Sequence, residues 1–114
     1  MFQASVDDKK TWKILADDRA AGLQIILPKS AHVLPWCHFL WAEGDSGEIR
    51  IAFTTHDVVV KGSGLDALLG DIAAQRIVEL KQPLRAERFG VISGTCIREI
   101  AVTKVDSEGN PLDA

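Results

Sequence analysis

Two cysteines in 114 residues are too few, and too far apart, for the structural roles that cysteine plays in small domains. Cys37 and Cys96 have no CxxC or other ligand spacing around them, which argues against a disulfide framework or a zinc knuckle and fits two small, reduced, buried side chains. No stretch approaches the roughly 18 apolar residues that a spanning helix needs. The N-terminal MFQASVDDKKTW carries acids and no apolar run, unlike a secretory signal or a transit peptide. A cytoplasmic chain with no membrane contact is the expectation. Also missing are GxxxxGK[ST], GxGxxG, GxSxG, HExxH and an EF-hand loop, so the commonest phosphate, hydrolase and metal signatures do not apply. No internal repeat or low-complexity segment interrupts the chain.

What is present describes an ordinary small globule. The length suits one domain and should bury roughly 65% of the unfolded surface without a staple. Apolar residues make up 46% and charged residues 25%, the proportions of a folded domain. The net charge of −3 argues against a dedicated nucleic-acid binder. That charge is uneven. Residues 76–104 hold six Lys/Arg against three Asp/Glu, a local excess of three that could meet an anion. Arg85, Arg88 and Arg98 are its candidate ligands.

Residues 1–10 read as a loose N-terminal segment, 11–105 as a single domain, and 106–114 as a flexible tail rich in turn residues. Within the domain, 12–16 leans towards strand. Leu23 to Leu27 is a surer strand, stopped by Pro28, and His32-Val33-Leu34 should lie at an edge or a bend because Pro35 cannot donate to a ladder. The clearest feature is a hairpin of 37–43 with 48–54 around Gly44-Asp45-Ser46-Gly47. Pairing Glu43 with Glu48 sets Trp41 opposite Arg50, in cation–π reach, and leaves apolar side chains on both faces of the ribbon. One antiparallel face is normally wet, so something should cover the second. A third strand follows from His56 to Lys61. Ser63 and Asp66 then have capping-box spacing, and Leu65, Leu68, Leu69, Ile72, Ala73, Ile77 and Leu80 recur at helical intervals up to Pro83. A final strand covers Ile97 to Val105. The expectation is a single α+β domain: a mainly antiparallel sheet or open barrel of five to six strands, with one packed helix at about 64–81.

Chemistry is harder to find. Trp36-Cys37-His38 looks at first like a thiol beside a base, but neighbours on a strand point to opposite faces. A composite metal site from His32, Cys37 or His38, His56 and Cys96 lacks ligand spacing. Gly62-Ser63-Gly64 ahead of a helix could cradle a phosphate, yet a tight connection needs small residues anyway. No catalytic residue, metal ligand or cofactor is therefore assigned. The leading expectation is a non-enzymatic interaction or regulatory domain that self-associates or meets a protein partner, with Trp36, Phe39, Trp41 and Arg50 as contact candidates. The alternative is a small-ligand or anion-binding domain built on the basic segment.

Overall fold

The computed structural model describes residues 12–15, 18–83, 96–106, 108, 110 and 111. Eight strands, one single-turn 3-10 helix and one α-helix follow one another in these segments. Strands β1 (Trp12–Ile14), β2 (Gly22–Ile26), β3 (Ala31–Pro35) and β7 (Ile77–Lys81) form one sheet in the order β1-β7-β2-β3. Strands β4 (Phe39–Gly44), β5 (Glu48–Phe53), β6 (His56–Ser63) and β8 (Cys96–Lys104) form a second, in the order β4-β5-β6-β8. All pairings are antiparallel except β2 with β7. The α+β expectation holds, with more strands than the five to six read from sequence. As its proline implies, β3 is an edge strand followed at once by a bend.

Both sheets and α1 (Asp66–Ala73) feed one apolar core. Leu23 and Ile25, Ile49, Ile51 and Phe53, Val58 and Val60 alternate into it with the period of two that strands impose. Leu65, Leu68 and Ile72 enter from the helix region. The chain crosses from the first sheet to the second at the 3-10 turn Trp36–His38. There Trp36 is buried, its indole N–H donates to the Ile77 carbonyl at 2.9 Å, and its ring packs edge-on against Phe39 and at a tilt against Phe53, with centroids 5.4 and 5.5 Å away.

The helix is the main correction. It ends at Ala73, not near residue 81, and the last part of the apolar stripe is the internal strand β7. Gln75 adopts φ 55, Gln75 N–H donates to Ile72 O, and Arg76 N–H donates to Asp71 O. This is a Schellman termination in which glutamine stands where glycine is usual, so no glycine marks the stop. Ile77 and Leu80 keep helical spacing for a different reason. Strand β1 pairs Lys13 with Glu79 and Ile14 with Ile77, so Val78 is an extra residue, and the bulge separates two inward side chains by three positions. The capping box is also absent. Leu65 occupies the N-cap without a side-chain cap, and the Ser63 hydroxyl, on β6, lies 3.2 Å from Cys96 Sγ.

Among the described residues, Asp71 is the one buried charged side chain. Its carboxylate accepts the Trp12 indole N–H at 2.8 Å and a guanidinium N–H of Arg76 at 3.2 Å. The helix is thereby tied to β1 and to the start of β7. Gly62 closes the far end of β6, where a Cβ would stand 2.0 Å from the Cys96 carbonyl oxygen. Only glycine admits that approach. Trp12→Phe keeps most of the packing and removes a donor from a buried carboxylate. It should cost about 1.5–3 kcal/mol in urea unfolding, and a neutral result would show that the Asp71 tie contributes nothing.

Candidate functional site

The hairpin forms as β4 and β5, but its pairing differs from the expected one. Glu43 faces Arg50, Ala42 faces Ile51, Trp41 faces Ala52 and Phe39 faces Phe53. The slip removes the like-charged Glu43–Glu48 pair and opposes Glu43 to a guanidinium. Gly44 permits it: with φ +154, a Cβ there would lie 2.2 Å from the Glu48 carbonyl oxygen. Asp45 then closes the turn, its carboxylate accepting from Gly47 N–H and Glu48 N–H. Residues 36–38 are the 3-10 turn and not strand, so Cys37 and His38 are both exposed. The expectation of two buried thiols holds for Cys96 and fails for Cys37.

Leu40 is the extra residue between the Phe39 and Trp41 pairings. This bulge turns Phe39 towards the core and leaves Leu40 outside, 56% exposed. Trp36 and Phe39 are therefore core residues, whereas Trp41 and Arg50 meet on the outer face. The Arg50 guanidinium lies 5.2 Å from the Trp41 ring centroid and forms an ion pair with Asp57 on β6. Trp41 and Asp57 flank Ala52 in one cross-strand row, and Arg50, two residues along β5, reaches diagonally to both. Each contact is modest at a wet surface, about 0.5–1 kcal/mol, but together they hold the indole in place.

A groove of about 590 Å³ lies here, lined by Leu40, Trp41 and Arg50 of the hairpin and by Val105, Asp106 and Glu108. The last three belong to the chain after β8. Val105 N–H donates to Thr55 O, Val105 bridges to Pro111, and the Asp106 carboxylate accepts from Glu108 N–H and Asn110 N–H. On this face Ala52 is 4% exposed, while Trp41 stays 41% exposed.

Of the basic segment's three candidate arginines, one lies in the described residues. Arg98 is exposed on β8, the extra residue between the Lys61–Glu99 and Gly62–Ile97 pairings. Arg85 and Arg88 lie outside the described residues. Two amides near the glycine pair are already engaged: Gly62 N–H donates to Gly47 O and Leu65 N–H to Ser46 O.

Of the residues weighed as a composite metal site, His32 and His56 are brought together across the two sheets. His32 on β3 and His56 on β6 have ring centroids 6.2 Å apart, and Thr55 Oγ1 lies 2.7 Å from His56 Nδ1. Cys96 sits at the opposite end of β6, opposite Ser63. Among the described residues no three His, Cys, Asp or Glu side chains converge as a metal site would require. Desolvation, then the charges of His32 and Lys104, hold His56 below its ordinary pKa of 6.5. As pH falls past that value the unfolded chain takes up a proton that the folded one resists. Stability therefore drops until the folded imidazole also protonates. The urea midpoint should fall between about pH 7 and about pH 5.5, and His56→Gln should flatten the decline. An unchanged slope in that variant would clear His56 of the effect.

No helix of the described residues is long and apolar enough to cross a membrane. The chain matches no family model, no curated protein and no solved structure, so its chemistry rests on its own residues.

Proposed function

We propose that this chain is a non-enzymatic interaction domain whose working surface is the outer face of the β4–β5 hairpin. The observation that carries the reading is Trp41: a large apolar ring, 41% exposed, braced by Arg50 at the edge of a preformed groove. Tryptophan and arginine are enriched at contact surfaces because each combines a large apolar or planar area with a polar edge. An interaction domain needs no nucleophile or cofactor. The hydroxyl–imidazole contact at Thr55 and His56 lies outside the lining of this groove.

Self-association belongs to this reading in a weak form. Trp41 and Leu40 together leave on the order of 200 Å² of open apolar surface, against about 800 Å² per partner in a stable interface. A second copy would therefore attach reversibly and only at high concentration. Sedimentation velocity and amide spectra from about 10 μM to about 1 mM should show a shift confined to the β4–β5 outer face, abolished by Trp41→Ser. A strict monomer with unchanged Trp41 signals would remove self-association from the reading. A tight dimer that survives Trp41→Ser would move the contact to a different surface.

A further inference from the structure

We propose that His32 and His56 form a two-imidazole chelate for a divalent transition metal ion, zinc first, which clamps β3 of one sheet to β6 of the other. The pair lies outside the lining of the groove beside Trp41, and the proposal does not depend on the interaction reading. The separation of the two rings carries it. A metal bound to two imidazole nitrogens at about 2.0–2.1 Å sets the ring centroids about 5.2 Å apart at a tetrahedral angle and about 6.4 Å apart when the ligands lie opposite each other. The observed 6.2 Å falls inside that span. Closing to the tetrahedral value takes about 1 Å, which side-chain rotation supplies without moving either strand.

His56 also has the support that a metal-bound histidine needs. Thr55 Oγ1 lies 2.7 Å from His56 Nδ1. With the hydroxyl oxygen accepting from Nδ1–H, the ring is held in one orientation and Nε2 keeps its lone pair for the metal. Both histidines are half-buried, so the rings are steadied by protein yet open to the waters that complete the coordination. A closed site takes three or more protein donors, and the described residues assemble none. Two imidazoles with water make an open, exchangeable site of modest affinity. Nitrogen donors favour zinc, nickel or copper over magnesium and calcium, which want oxygen. Asp57, the residue after His56, is committed to Arg50. Lys104 faces His56 across the β6–β8 ladder and opposes an incoming cation. Exposed on a flexible four-carbon stem, it lowers the affinity without barring the site.

The test titrates the whole chain with zinc chloride and follows the imidazole nitrogen resonances. Those of His32 and His56 should move together and saturate at one ion per chain, with a dissociation constant of about 10–100 μM. Backbone amides of β3 and of the start of β6 should then exchange more slowly, because the ion ties the two sheets at this corner. His32→Gln and His56→Gln should each weaken binding at least about tenfold. His38→Gln and Cys37→Ser, exposed on the 3-10 turn, should leave it unchanged, and magnesium chloride should move neither ring. Movement of one ring alone overturns the chelate, as does zinc binding that survives both glutamine variants. Loss of binding in His38→Gln or Cys37→Ser overturns it too, by placing the ion on the turn. So does a wild-type spectrum that stays still at about 1 mM zinc. The wild-type titration decides the matter even if a glutamine variant folds poorly, and no outcome bears on Trp41.

Discussion

The fold turns on Trp36. At that point the chain leaves the first sheet and enters the second, and a crossing of this kind needs a fixed corner. Pro35 stops the ladder of β3, the 3-10 turn redirects the backbone, and the indole drops into the core between Phe39 and Phe53. Its N–H finds the carbonyl of Ile77, on a strand of the sheet just left behind. One side chain thus binds both layers. A buried indole without that acceptor would carry an unmet donor, so the position of β7 and the phase of β4 are tied together.

The phase of β4 in turn sets the outer face. With Phe39 drawn inward to join Trp36, the backbone must absorb one residue before regular pairing resumes, and Leu40 is that residue. The bulge exposes Leu40 and puts Trp41 on the outside, where Arg50 lies diagonally across the ladder. The apolar outer face is then divided. Ala52 is buried, and Leu40 and Trp41 stay exposed. The candidate site follows from core packing on the other side of the same strand.

Much of the architecture was legible. Pro28 marked the end of β2 and Pro35 marked an edge strand, the turn around Gly44-Asp45-Ser46-Gly47 marked the hairpin, and alternation in Glu48 to Phe53 marked the inward side chains. The cation–π contact of Arg50 with Trp41 was legible too, although through a pairing two steps from the real one. The errors share a cause. Periodicity assumes an uninterrupted element, and Leu40, Val78 and Arg98 are each one residue too many for their ladders. At Val78 the interruption converts a strand's spacing of two into a spacing of three, which a helix also has. Gln75 compounds it by taking the left-handed backbone normally reserved for glycine.

Residue type and order determined the fold class and the hairpin, because those depend on short-range preferences and on which side chains avoid water. Where each bulge fell, where the helix stopped, and that His32 would meet His56 were decided only by tertiary structure. These features arise when two sheets and a helix must fill one interior together: each strand shifts by a residue wherever that lets buried groups such as Trp36 and Asp71 reach their partners. The exposure of Trp41 belongs to the same class, since it follows from the bulge at Leu40.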